Sequence, residues 1–528
     1  MIKRQMNRSS KCFTALIAGA VMAAAIIVSN GLGFYDEASV VLAYDIPTPD
    51  VTYTGAVNPI SISEDKTIML DGVTITGSAL DPSGISITGG SSVNIVLCGD
   101  NTVSGYVDSG IFSAGIHVEC GSTVSIYGLE GSSLTVTGGT NGAGIGGIGF
   151  SRPGLSNPSA GNINIYSGTI TATGGRKGAG IGSGYHQSAG DINIYGGVIK
   201  AVGTEYSAGI GSGYATSGGT EAASMVGYYN GGNITISGGN IIATAGITDT
   251  GNIDIYDVDS FSINNDLAAG IGGGYGASSG NIIIEGDAVV LAIGQCGGAG
   301  IGTGRGTAMG SKYDADNADF NIIIRGNAKV TALSGKDDRA GQTSHSGAAI
   351  GGGRGFGIEN ESIGYIEIGG NAEVFAHAGL NADGIGVGIA VYRFNSGMED
   401  DLRYAYSDIR IASSCRVMSY ENGQLVFSQT GIPEETGTYI DSLIDSLDLA
   451  IALGGEQTVY WSEGDALPYF VLKILEEHPD ITLVFSYTYN DVDYVLTIQG
   501  SDVTAEITIP WYGPMNLYGT YGLTQQVS

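Results

Sequence analysis

Apolar and polar residues alternate with a period of two over much of this chain, in bursts only three to five residues long. The clearest series is Asn162-Ile163-Asn164-Ile165-Tyr166, Asp191-Ile192-Asn193-Ile194-Tyr195, Asn233-Ile234-Thr235-Ile236, Asn252-Ile253-Asp254-Ile255-Tyr256, Asn281-Ile282-Ile283-Ile284 and Asn321-Ile322-Ile323-Ile324. Degenerate copies follow at Ile366-Glu367-Ile368 and Ile409-Arg410-Ile411. A second burst trails many of these, as in Ile170-Thr171-Ala172, Ile199-Lys200-Ala201, Val289-Val290-Leu291, Val330-Thr331-Ala332 and Val374-Phe375-Ala376. A third phrase, Ala-Gly-Ile-Gly or a close variant, places Ile at 116, 145, 181, 210, 271, 301, 350 and 385, at spacings of 29, 36, 29, 61, 30, 49 and 35.

Each burst predicts a short strand with one face turned inward. Three such strands per repeat, separated by Gly turns, cannot bury a core alone, but stacked repeats can. The expected fold is mainly β, a right-handed parallel β-helix (solenoid) of roughly ten to twelve coils, about 50–60 Å long at about 4.8 Å per coil. The Asn or Asp before each Ile-x-Ile strand is expected to stack as a hydrogen-bonded ladder at one corner. The 61-residue spacing between Ile210 and Ile271 implies an extra coil lacking the phrase. Residues 44–110 alternate in the same way without the corner phrases and read as N-terminal capping coils; 111–420 reads as the regular solenoid.

Glycine density falls near the end, and 421–528 reads as a small α+β module. A helix is expected over Tyr439–Leu453 and a second over Ala466–Glu477, with Asp465 as N-cap and Pro468 in its first turn. Strands are expected around Leu483–Tyr489, Tyr494–Ile498 and Val503–Ile509. Both tryptophans, Trp461 and Trp511, lie here. They read as core or docking residues, with a sugar platform as the alternative. At the other end, Lys3, Arg4, Arg8 and Lys11 precede an apolar run from Cys12 to Val28, and 1–43 reads as a secretory signal peptide. The expected location is therefore extracellular or at the cell surface; an uncleaved membrane anchor is the alternative. No second apolar run of spanning length occurs, so the mature chain is not expected to be an integral membrane protein.

Composition narrows the function. The net charge is −31, from 21 basic and 52 acidic residues in 528, which leaves no footprint for nucleic acid. Glycine supplies 90 residues, yet Pro supplies only 11, which excludes collagen. Cys98 and Cys120 sit in similar contexts and could bond across adjacent coils; buried free thiols are the alternative.

Four residues after the repeat Ile come Tyr185, Tyr214, Tyr275, Arg305 and Arg354. Stacking would align them on one side, where aromatic rings and guanidinium suit extended glycans; a corner column that covers backbone is the bland alternative. Asp314, Asp316 and Asp319 offer oxygen ligands of the kind Ca2+ takes, without EF-hand spacing, and a solvated loop is the simpler reading. The acidic insertions also hold Asp337, Asp338, Glu359 and Glu361, which a hydrolase or lyase would need to gather in pairs. No nucleophile elbow, P-loop or metalloprotease motif is present.

The phrase Gly142-Ala143-Gly144-Ile145-Gly146-Gly147, followed by Gly161-Asn162-Ile163-Asn164-Ile165-Tyr166 and Thr171-Ala172-Thr173-Gly174-Gly175, resembles secreted glycine-rich repeat proteins of Gram-positive anaerobes. These are generally labelled carbohydrate-binding-domain or adhesin-like. The resemblance implies a parallel β-helix and secretion. It carries over no catalytic motif. The leading expectation is non-catalytic binding of a polysaccharide or a host or mucin glycan on a β-helix face. The alternatives are a β-helix polysaccharide lyase or glycoside hydrolase, and a structural spacer.

Overall fold

The computed structural model describes residues 45–527 apart from 109, 152–157, 216–228, 247–266, 296, 306–320, 336–345, 354, 357–364, 380–381, 387–388, 392–400, 404–407, 422, 430–442, 444–445, 448, 452, 463–466, 490–491, 504–510 and 513–523. The chain forms two compact units. One comprises Met1–Ile411 with Met418–Val426, the other Ala412–Val417 with Phe427–Ser528.

The first unit is a right-handed parallel β-helix whose coils each contribute a strand to three sheet faces. Sheet 1 carries the Asn-Ile-x-Ile strands, such as Asn162–Ile165 and Ile192–Ile194. Sheet 2 carries the strands that follow, such as Thr169–Thr173 and Val198–Gly203. Sheet 3 carries the short Ile-Gly strands and has ten members, so ten coils are stacked among the described residues.

The register explains why the repeat is so literal. In sheet 3, Ile60, Ile85, Ile116, Ile145, Ile181, Ile210, Ile271, Ile301, Ile350 and Ile385 are successive parallel partners. In sheet 1, Ile68, Ile95, Ile126, Ile165, Ile194, Ile236, Ile284, Ile324, Ile368 and Ile411 form a second column. Sheet 2 turns Ala172, Ala201, Ala243, Ala292, Ala332 and Ala376 inward, where smaller side chains suit the narrow cross-section. Nearly all of these are fully buried. Each buried Ile contributes about 1.5–3 kcal/mol relative to exposure.

The second Gly of the Ala-Gly-Ile-Gly phrase is dictated by contact and by backbone angle. Gly182, Gly211, Gly272 and Gly302 have φ of +136°, +129°, +121° and +140°. A Cβ on Gly182 would lie 1.9 Å from the Gly211 carbonyl oxygen, and one on Gly211 would lie 2.0 Å from that of Gly272. The loop around this glycine closes on itself: the Ala179 N–H donates to the Ser183 carbonyl at 3.0 Å and the Ala208 N–H to that of Ser212 at 3.0 Å. Buried hydroxyls then satisfy backbone donors of the next coil. Gly213 N–H donates to Ser183 Oγ at 3.0 Å, Gly274 N–H to Ser212 Oγ at 2.9 Å and Gly353 N–H to Thr303 Oγ1 at 2.7 Å.

The corner ladder is present. Asp191 N–H donates to Asn162 Oδ1 (3.0 Å), Asn233 Nδ2 to Asp191 Oδ1 (2.8 Å), Asn281 Nδ2 to Asn233 Oδ1 (3.2 Å), and Asn321 N–H to Asn281 Oδ1 (3.1 Å). The ladder passes from Asn233 directly to Asn281; Asn252 lies outside the described residues. Ile210 likewise pairs directly with Ile271. No extra coil separates them, and the 61-residue spacing is one coil with long connections. At the N-terminal edge, Val51–Val57 lies parallel on Lys66–Thr76.

The expected Cys98–Cys120 bond is absent. Cys98 ends a sheet 1 strand, whereas Cys120 sits at the corner after the sheet 3 strand Ile116–Val118. These are different corners of the coil, so stacking cannot bring them together. Cys120 is an exposed free thiol with its sulfur 3.8 Å from Ser159 Oγ.

In the second unit, Gln457–Trp461 lies parallel to Ile481–Tyr489, joined through the helix Tyr469–Glu477. Val492–Gln499 follows as a hairpin partner, and Thr524–Val527 adds a fourth, antiparallel strand. Trp461 is buried and stacks on Phe485 with centroids 5.0 Å apart, so it belongs to the core. Leu467–Pro468 forms a short strand against Trp511–Tyr512. Pro468 therefore precedes the helix instead of opening its first turn; Asp465 lies outside the described residues.

The glycine column yields a prediction. Gly182→Ala combines a backbone collision with a forbidden φ, and should cost at least about 3 kcal/mol. Gly121 has φ +82° with nothing within 4 Å of a Cβ, so Gly121→Ala should cost only about 1–2 kcal/mol. Urea unfolding midpoints of the two variants should separate clearly, and equal midpoints would contradict the packing described.

Candidate functional site

Two aromatic columns run up the outside of the β-helix. The first contains the residues expected to bind glycans. Tyr185, Tyr214, Tyr275 and Arg305 occupy one register, their N–H groups donating to the carbonyls of Asn141, Lys177, Tyr206 and Leu267. Tyr185 stacks on Tyr214 at 5.4 Å, and Tyr214 on Tyr275 at 5.6 Å, with interplanar angles of 13° and 20°.

The column is nevertheless no open platform. Tyr185 is 8% exposed and Arg305 only 3%. Lys177 Nζ sits 4.3 Å from the Tyr185 ring centroid and 5.0 Å from that of Tyr214. His186, fully buried, stacks on Tyr185 at 3.6 Å. Tyr206 tilts against both Tyr214 and Tyr275. Tyr185 and Arg305 are buried, while Tyr214 and Tyr275 are half-buried, so the expectation of an exposed flat face at Tyr185, Tyr214, Tyr275 and Arg305 is corrected at its two buried ends. Arg354, and the acidic residues Asp314, Asp316 and Asp319 considered for Ca2+, lie outside the described residues. Among the described residues no group of three or more His, Cys, Asp or Glu is placed to hold a metal ion.

Burial sets the electrostatics of this column. Desolvation, reinforced by Tyr214, pushes the Tyr185 phenol up to about 12. Desolvation, and then neighbouring Arg176, lowers the Lys177 ammonium from its ordinary value. Desolvation pulls His186 down to about 4, against the opposing hydrogen bond to the Phe150 backbone. Backbone strain gathers here as well: Lys177, His186, Glu205 and Tyr206 all have positive φ.

The second column lies on the outward face of sheet 1. Tyr127, Tyr166 and Tyr195 stack at 4.5 and 4.7 Å with interplanar angles of 6° and 15°. All three are half-buried. Two residues earlier on each strand stand Ser125, Asn164 and Asn193, linked coil to coil. Asn164 Nδ2 donates to Ser125 Oγ at 3.2 Å, and Asn193 Nδ2 to Asn164 Oδ1 at 3.0 Å. Outside these runs the Asn162–Asp191–Asn233 ladder. One flat face thus presents amide, hydroxyl and aromatic columns side by side, with Asp191 the lone charge among the residues named. Desolvation and the neighbouring Tyr166 push the Tyr127 phenol up to about 12, and burial also raises that of Tyr195. The signal for this column was present in the sequence, as the Tyr closing the Asn-Ile-Asn-Ile-Tyr phrase. Tyr127 belongs to a different phrase, and only the register shows that it joins the stack.

A family model described as the beta helix repeat matches residues 163–185 and 192–214. The two stretches begin at the inward Ile of sheet 1 and end on Tyr185 and Tyr214, so each spans most of one coil. Neither the curated proteins nor the solved structures gave a match. No helix among the described residues is long and apolar enough to cross a membrane.

The depressed His186 pKa has a testable sign. The unfolded chain binds a proton near pH 6.5 and the folded chain only near pH 4, so stability contributed by neutral His186 is present above pH 6.5 and lost as pH falls toward 4. His186→Asn keeps a residue that tolerates φ +54° and removes this titration. Thermal melts from pH 7.5 to 4 should show a steeper loss for the natural protein than for the variant; parallel curves would place His186 in a solvated environment.

Proposed function

We propose that this protein is a non-catalytic carbohydrate-binding protein acting outside the cell after loss of residues 1–43, and that the outward face of sheet 1 receives the glycan. The observation that carries the reading is the three side-by-side columns. Tyrosines supply apolar surface for sugar C–H groups, while amides and hydroxyls supply paired donors and acceptors for sugar hydroxyls. Such a face needs no charge, and a chain of net charge −31 repels polyanions, so neutral glycans are the favoured class. The β-helix repeat match and the resemblance to adhesin-like repeat proteins point the same way.

The test is isothermal titration of the protein with neutral oligosaccharides: cellohexaose, xylohexaose, mannohexaose and galactohexaose. Tyr166→Ala and Asn193→Ala should each weaken binding about tenfold, equivalent to roughly 1.4 kcal/mol. Tyr214→Ala should lower the melting temperature and leave affinity unchanged. Affinity lost in Tyr214→Ala but kept in Tyr166→Ala would move the site to the first column. Sugar released from any of these oligosaccharides would make the protein an enzyme.

A further inference from the structure

The first coil of the β-helix is open at its N-terminal end. Among the described residues, Val51–Val57 pairs only with Lys66–Thr76, and Ile60–Ile62 only with Ile85–Ile87. Each of these strands has one edge without a strand partner. On sheet 3 the Ile60 N–H donates to the Gly84 carbonyl and the Ile62 carbonyl accepts the Thr88 N–H, both at 2.9 Å. Ser61 stands between them, so its N–H and C=O point away from the second coil. The core is open at this end too. Val51, Tyr53 and Val57 are half-buried, whereas their register partners Ile68, Leu70 and Ile75 are fully buried. Ile60 and Ile62 are 7% and 5% exposed, against 0% for Ile85 and Ile87.

Little of the chain's own N-terminus is left to cover this end. Residues 1–43 are absent after the processing proposed above. Residues 45–50 form no strand. Asp50 is turned to the second coil: its N–H donates to the Thr67 carbonyl at 2.8 Å, and its carboxylate accepts the Thr67 N–H at 2.8 Å. Exposed edge strands are commonly guarded by charged side chains. Residues 51–63 carry none, in a chain of net charge −31. For so acidic a protein, an uncharged end is where a second copy can approach with least repulsion.

The order of side chains suits that second copy. An antiparallel partner centred on Thr54 sets Val51 opposite Val57 and Tyr53 opposite Gly55. All four are inward positions, by their register with the buried Ile68, Leu70, Val73 and Ile75. The largest side chain thus meets the residue that has none, and among the described residues nothing lies within 4 Å of a Cβ at Gly55. A partner centred on Ser61 sets Ile60 opposite Ile62 in the same way. The two centres also lie on one axis. The register shifts between Thr54 and Gly55, at the corner where the next coil passes from its sheet 1 pairing, Lys66 to Asp71, to its sheet 2 pairing, Thr74 to Thr76. Ser61 is the middle of the sheet 3 strand. Rotation by half a turn about the line joining them exchanges sheet 1 with sheet 2 and returns sheet 3 to itself.

We infer that two copies of this chain join head to head at the first coil, with strands paired across a two-fold axis through Thr54 and Ser61. The inference rests on the loss of residues 1–43 and is independent of the carbohydrate reading. Such a contact uses the same surface on both copies, so it closes at two and does not propagate into a fibre.

The test uses protein secreted into the medium, with its intact mass giving the N-terminus. Sedimentation up to about 100 µM should show a reversible monomer–dimer equilibrium with Kd on the order of 10 µM. Ser61→Pro removes an N–H that only the second copy would use. Thr54→Lys sets two ammonium groups together on the axis. Each should weaken the dimer at least about tenfold while leaving the melting temperature of dilute protein unchanged. In a Cys120→Ser background, Thr54→Cys should oxidise to a disulfide-linked dimer, because its own copy lies opposite at about 4.5–5.5 Å between Cα atoms. Thr52→Cys should not, since Thr52 faces Ala56 and its own copy lies four residues away, about 13 Å. A monomer throughout, in protein whose mass begins near residue 44, would overturn the head-to-head contact alone. Unchanged association in both Ser61→Pro and Thr54→Lys, equal cross-linking at Thr52 and Thr54, or an open series of higher oligomers would overturn it as well. A mass that retains residues 1–43 would overturn the leader reading and take the inference with it.

Discussion

In-register stacking at about 4.8 Å is the constraint from which the rest of this molecule follows. Parallel coils place each residue directly over its counterpart, so every position must tolerate its own kind as a neighbour. Isoleucine does so inside, where twenty stacked residues fill two of the three inner faces. Glycine does so at the Ile-Gly corner, where Gly146, Gly182, Gly211, Gly272 and Gly302 face the next coil's carbonyl oxygen too closely for any Cβ. Asparagine does so on the surface, since an amide is both donor and acceptor and can repeat without conflict.

The same constraint decided what could be read from the sequence. Three strands per repeat, the inward Ile and Ala positions, and the Asn ladder all follow from local phrases that repeat, and each is visible without coordinates. The burial of Tyr185 is not local. It depends on Lys177, which arrives from the connection before the Ile-Gly strand, and on His186, both with positive φ that no phrase announces. Spacing alone was ambiguous as well: 61 residues fit two short coils or one coil with long connections, and only the pairing of Ile210 with Ile271 distinguishes them. Cys98 and Cys120 looked alike in context, but Cys98 ends a sheet 1 strand and Cys120 sits at the corner after a sheet 3 strand.

The two tyrosine columns show how one stacking rule yields different surfaces. At the sheet 3 corner the rings are roofed by side chains from a second column, and their phenols and neighbours are desolvated. On sheet 1 the stacked rings are half-buried and stand beside a ladder of amides and hydroxyls two residues earlier on each strand. The surroundings of a column thus depend on the connections and strands beside it as well as on the residues within it.

Stacking also explains the composition. Like charges one coil apart would repel by roughly 1 kcal/mol in water and about 3–4 kcal/mol at an effective dielectric near 20. A repeated Lys or Asp is therefore penalised at every coil, in keeping with a charged fraction of only 14%. Among the described residues, the ion pairs between successive coils join opposite signs: Arg176 with Glu205, Glu285 with Arg325, and Lys329 with Glu373. Arg410 follows the same rule, with Glu367 as its register partner and the Tyr365 ring beside it. A polar face built under this rule must be made of amides, hydroxyls and phenols. Those are the groups that recognise uncharged hydroxylated ligands, so the surface chemistry of the rod is a consequence of how its coils are packed.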